Sequence, residues 1–128
     1  MPNEGKASQV KVFDLETRTS QFGEAVIRFV KTLPETSINK PLISQLIRSG
    51  TSIGANYMEA DTAESKKDFI HKMGICKKEA KETIHWIGMM TCSNPDKKEG
   101  LDILCREVYE LLLIFSAIIN KTRSRMIA

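Results

Sequence analysis

A chain of 128 residues has room for one domain of ordinary size, with a core large enough to need no disulfide or metal staples. Four prolines, seven glycines and 27% charged residues exclude a fibrous or disordered chain. The net charge of +3 is unevenly spread: residues 1–64 carry seven Lys/Arg against eight Asp/Glu (net −1), and residues 65–128 carry twelve against eight (net +4). A basic second half points toward an acidic partner.

The longest apolar runs, Leu111–Phe115 and Ala117–Ile119, are too short to span a bilayer, and Met1–Val10 has no secretory pattern. Cys76, Cys92 and Cys105 are odd in number and form no C-x-x-C. They are expected to be half-buried thiols in a reducing, cytoplasmic setting.

Four stretches show helical periodicity. The first runs from about Asp14 to Leu33, with Phe22, Val26, Phe29, Val30 and Leu33 at spacings of three and four, and Pro34 ends it. The second starts near Ser37 or Asn39, tolerates Pro41 in its first turn, and reaches about Asp61. Leu42, Leu46, Ser49, Ile53, Asn56 and Ala60 form its core stripe. The third opens with Ser65 and Asp68 at capping-box spacing and runs to about Cys92, its stripe being Phe69, Met73, Cys76, Ala80, Thr83, Ile87 and Met90. The fourth follows Ser93-Asn94-Pro95-Asp96, with Asp96 and Glu99 as a second capping box, and extends to about Asn120 on Leu101, Cys105, Val108, Leu112, Phe115 and Ile119. Short breaks force neighbouring helices to run antiparallel. The expected fold is therefore all-α, an antiparallel up-down-up-down four-helix bundle over residues 13–120. A flexible segment, 1–12, would precede it and a basic tail, 121–128, would follow.

The second helix has more apolar surface than a bundle needs. Ile43, Ile47, Gly50, Gly54 and Met58 lie about a quarter turn from the core stripe. Gly50 and Gly54 each cost about 1 kcal/mol relative to alanine in a helix interior, and close approach of another helix would offset that. Ile103 and Ile114 on the fourth helix lie outside the core arc in the same way. The expectation is a homo-oligomer with Ile43, Ile47, Gly50, Gly54, Ile103 and Ile114 in the contact.

Little here could carry chemistry. His71 and His85, fourteen residues apart on one helix, are separated by about 21 Å and cannot share an ion. There is no H-E-x-x-H, no phosphate loop and no G-x-S-x-G, and the one E-x-x-H, Glu82 to His85, has no second copy to pair with as a di-iron bundle requires. The expectation is no enzyme, no cofactor, no metal and no small-molecule substrate. Gln45, Arg48, Ser52, Asn56 and Glu59 form a polar strip beside the second core stripe, expected to be one hydrogen-bonded structural network. The basic excess concentrates on the third helix. Lys67, His71, Lys78, Lys81 and His85 fall within about a third of a turn, with Lys77 at the margin and no acid in the arc. With Lys121, Arg123 and Arg125 of the tail, they are the candidate contacts to a nucleic-acid backbone.

The run Leu42-Ile-Ser-Gln-Leu-Ile-Arg-Ser-Gly-Thr-Ser-Ile-Gly-Ala-Asn-Tyr-Met-Glu-Ala60 carries a resemblance. So do Ser65-Lys-Lys-Asp-Phe-Ile70, Lys77-Lys-Glu-Ala-Lys-Glu-Thr83, Trp86, Phe13-Asp-Leu-Glu16 and Phe29-Val-Lys-Thr-Leu-Pro34. Together they resemble the bacterial four-helix-bundle proteins named for reading frames within intervening sequences of 23S ribosomal RNA, over roughly residues 12–120. The resemblance implies a homo-oligomer, a pentameric ring, similar in fold to the accessory proteins of diversity-generating retroelements. By that analogy it implies RNA or another nucleic acid as partner, although those accessory proteins are more basic than this chain. The alternative is a structural adaptor that binds another protein through the polar strip or a groove around Tyr57.

Overall fold

The computed structural model describes residues 14–127, so the expected flexible segment 1–12 lies outside the described residues. Four α-helices follow one another: α1 (Leu15–Val30), α2 (Asn39–Asp61), α3 (Lys66–Ser93) and α4 (Lys98–Ile127). No strand occurs among the described residues.

The breaks have local causes. After α1 the chain tightens into turn bonds, with Thr32 N–H donating to the Phe29 carbonyl and Leu33 N–H to that of Val30, before Pro34 stops it. At the start of α2, Asn39 N–H donates to Thr36 Oγ1 (3.0 Å). Ser65 caps α3 as its spacing predicts, accepting from Asp68 N–H at 3.0 Å. The second predicted capping box is replaced by a 3₁₀ turn, Pro95–Lys97, that leads directly into α4. The larger difference is at the other end. Residues 121–127, expected as a tail, continue α4 as helix to Ile127.

Contacts between helices give the chain directions. Gly50 lies against Val26 and Gly54 against Thr19, so α2 descends beside α1. Arg48 meets Glu79 and Lys72 meets Glu59, so α3 ascends beside α2. Gly100 packs on Phe29 and Arg18 reaches Glu107 and Glu110, so α4 descends beside α1. The result is the up-down-up-down bundle, with α1 and α4 closing the ring along its most loosely packed seam.

Core burial follows the predicted stripes closely in α3, where Met73, Cys76, Ala80, Thr83, Ile87 and Met90 are all buried. In α4 the buried row is Leu101, Leu104, Val108, Leu111, Phe115 and Ile119; Cys105 and Leu112, expected in the stripe, are half-buried at its edge. The stripe is turned slightly toward α1. Burial pushes the Cys76 thiol up to about 12, whereas Cys92 is exposed.

Two polar features tie the ends and the seam. Asn39 and Asn94 are buried and exchange amide hydrogen bonds, each Nδ2 donating to the other's Oδ1 at 3.0 Å. Asn39 Nδ2 also donates to the Pro34 carbonyl, Asn94 Nδ2 to that of Met90, and Ser93 Oγ to Asn39 Oδ1. One amide pair thus fastens the α1–α2 turn to the end of α3. Across the α1–α4 seam, Arg18 Nε and Nη2 grip both oxygens of Glu107 (2.8 and 3.0 Å) while Nη2 reaches Glu110 (2.7 Å).

Candidate nucleic-acid interface

The phase of α3 is set by its core stripe, and the opposite face is the outermost surface of that corner of the bundle. Lys67, His71, Lys78, Lys81 and His85 all stand there, and all are exposed. Gly74 lies among them with open space where a side chain would be, which leaves a shallow floor between the lysines. Lys67, Ile70, His71, Gly74, Ile75, Lys78 and Arg123 line one open groove of about 410 Å³, and Gly74, Lys77, Lys78 and Lys81 line its continuation.

The acids of α3 are elsewhere. Glu79 and Glu82 face α2, where one guanidinium holds both: Arg48 Nη1 lies 3.4 Å from Glu79 and Nη2 pairs with Glu82. Glu82 also accepts from Trp86 Nε1 at 3.0 Å. Lys72 donates to Glu59 of α2 at 2.8 Å, and that carboxylate raises the lysine's pKa. Asp68 stands in the first turn, where its backbone N–H donates to the Ser65 cap. The outer face therefore presents its cations with Glu79 and Glu82 turned away toward α2.

The predicted polar strip divides. Gln45 accepts from Arg48 Nε at 3.0 Å, and Asn56 Nδ2 donates to the Ser52 carbonyl at 2.8 Å. Ser52 Oγ donates to the Arg48 carbonyl, so both short side chains bond within their own helix. Arg48 and Glu59, eleven residues and about 16 Å apart on α2, pair separately with α3. Glu59 is 59% exposed, so its pair is a surface contact and not one member of a single buried network. The arginine contacts between helices were visible only in part: Arg18, which makes the most buried ion pair, stood in no predicted strip.

The two glycines of the expected subunit contact have close neighbours within the chain. Gly50 is buried, and a Cβ there would stand 3.1 Å from Val26 Cγ2; one at Gly54 would stand 3.4 Å from Thr19. The close approach that offsets the glycines is made by α1 of the same chain. Ile43, Ile47 and Ile114 are half-buried against their own core. Of the six predicted contact residues, Ile103 is the exposed one (56%), and it shares the outside of α4 with exposed Tyr109 and Leu113. A groove of about 630 Å³ between α1 and α2, with Ile27, Ala55 and Met58 in its lining, was not foreseen.

The basic C-terminal residues separate as well. Because α4 stays helical, Lys121 and Arg125 are about 160° round the axis from Arg123. Arg123 joins the α3 groove with Lys67; Lys121 and Arg125 are turned to the other flank. Tyr57 is half-buried against the core, and burial pushes its hydroxyl's pKa up. No cluster of three or more metal-ligating side chains occurs among the described residues, and no helix there is long and apolar enough to cross a membrane.

No curated protein matches the chain. Among solved structures, a protein of unknown function from the S23 ribosomal protein family of Bacteroides thetaiotaomicron is similar, at 30% identity and a TM-score of 0.71. The match covers 81% of this chain and 96% of that one. The family model for 23S rRNA-intervening sequence proteins matches residues 13–116, from the start of the first helix well into the last. With the four-helix arrangement, the glycine-mediated α1–α2 packing and a match of that extent, the chain belongs to the 23S rRNA-intervening sequence protein family.

Proposed function

We propose that this protein is a non-enzymatic, self-associating helical bundle that binds nucleic acid, RNA foremost, through phosphate contacts on the outer face of α3. The observation that carries the reading is the sorting of charge on one helix. Lys67, Lys78 and Lys81 stand outward with Arg123, while Glu79 and Glu82 turn inward onto Arg48. Unpaired cations on an open surface attract a phosphate backbone mainly by counterion release, so binding weakens steeply with salt. Self-association would repeat the face in each copy, and a pentameric ring would turn weak single-site binding into avidity. The exposed Ile103, Tyr109 and Leu113 on α4 support a contact between copies.

The test is Lys67→Glu, Lys78→Glu and Lys81→Glu combined. The expected result is an unchanged melting temperature and a collapse of RNA binding at moderate salt. A folded triple variant with full affinity would leave the face as a solvated surface and favour the adaptor reading. Light scattering tests assembly: a mass of 14.4 kDa at micromolar concentration would exclude it.

A further inference from the structure

We propose that His85, seated against Trp86 at one end of the lysine track, is a stacking platform for an unpaired base, so that the ligand of this face is single-stranded nucleic acid. The proposal rests on reading the α3 face as a phosphate-binding surface, and it adds what that surface selects.

His85 is on the same outward arc as the lysines, one helical turn and about 6 Å of axis beyond Lys81. From Lys67 to His85 the track runs about 27 Å, the reach of a few nucleotides. The His85 and Trp86 ring centroids are 4.8 Å apart at an interplanar angle of 73°. Whichever ring presents its edge in that geometry, at least one imidazole face stays open, and His85 is exposed.

The support beneath it is fixed. Trp86 is half-buried against the core, and its Nε1 donates to Glu82, which Arg48 holds from α2. A locked indole limits the rotation of the imidazole that leans on it, so less freedom is lost when a base stacks there. The same arrangement neutralises Glu82, the carboxylate nearest the platform in sequence, which would otherwise repel the strand.

A duplex keeps its bases stacked inside, where a side chain on a flat helix face reaches phosphates and not ring faces. An unpaired strand laid along the lysines can turn a base onto the imidazole. Stacking of this kind tolerates any base, so the expected selectivity is for strandedness and not for sequence.

Trp86 is the sole tryptophan of the chain, so its fluorescence reports directly on this spot. The probes are fluorescein-labelled oligouridylate and an RNA duplex of the same length, titrated at low salt. The expected result is tighter binding of oligouridylate with quenching of Trp86, against weaker binding of the duplex with little quenching. His85→Ala should lower oligouridylate affinity about tenfold, lower duplex affinity far less, and be rescued by His85→Phe. If both probes bind equally, Trp86 is silent and His85→Ala changes nothing, the platform is overturned while the phosphate-binding face stands. If neither probe shows a change in anisotropy, both readings fall.

Discussion

Two arginines in this bundle make the same contact in different surroundings. Arg18 on α1 lies between Glu107 and Glu110 of α4, and Arg48 on α2 lies between Glu79 and Glu82 of α3. In each case one planar guanidinium spans two carboxylates three residues apart on a facing helix. The side chain of Arg18 is 16% exposed and that of Arg48 is 45% exposed. That difference assigns their consequences. At Arg18 the carboxylates push the guanidinium's pKa up, even against its partial burial, and the pair closes the most loosely packed seam of the ring. At Arg48 water screens the pair, so its effect on stability is small and its effect on surface charge is what remains.

Removing each partner is the direct way to break the comparison. Arg18→Ala leaves two part-buried carboxylates facing an emptied seam, and should cost about 2–4 kcal/mol in a urea denaturation experiment. A loss below about 1 kcal/mol would place Arg18 with Arg48 as a screened surface pair.

Asn39→Ala provides a scale for burial without charge. It leaves Asn94 short of a partner at a buried position and should cost about 1–3 kcal/mol, with the double variant Asn39→Ala, Asn94→Ala costing less than the sum. Thermal melts of the two single variants and the double test this coupling.

Arg48→Ala should change stability by less than about 1 kcal/mol. It should nevertheless weaken oligouridylate binding, most at low salt, because Glu79 and Glu82 then lie uncompensated beside the lysine face and their repulsion is screened as salt rises. Full affinity in a folded Arg48→Ala variant would show that the inward turn of the acids is enough without neutralisation.

The smallest effect expected concerns a thiol. Cys76 is held neutral by burial up to about 12, so the unfolded chain loses that proton at lower pH than the folded one. The contribution of Cys76 to stability is complete below the ordinary thiol range and is lost as pH rises through it toward 12. In the folded protein at pH 8 a thiol reagent should label Cys92 quickly and Cys76 only on unfolding.

Much of this molecule is local, and local features are legible in a sequence. The period of Met73, Cys76, Ala80, Thr83, Ile87 and Met90 defines both the buried side of α3 and, by subtraction, its outward side. That is why Lys67, His71, Lys78, Lys81 and His85 could be placed on one exposed face from their spacing alone. The Ser65 cap and the Pro34 stop are equally local, since each acts within one turn of chain.

The partners across seams are a different matter. A 3.6-residue period gives the phase of each helix but not its rotation and shift against a neighbour. Gly50 announced a close approach, yet Val26 as the residue that makes it depends on how α1 and α2 align. Arg48 and Glu59 share a strip on α2 but meet different residues because α3 runs past both. Asn39 and Asn94 are far apart in the chain and meet because two helix ends lie at one end of the bundle. The last turns of α4 lie beside the start of α3, where Arg123, Met126 and Ile127 line one cleft with Ile70, a neighbour that the order of residues does not reveal. Helix phase follows from the order of residues along one segment. Helix partnership arises only when segments far apart in sequence pack together.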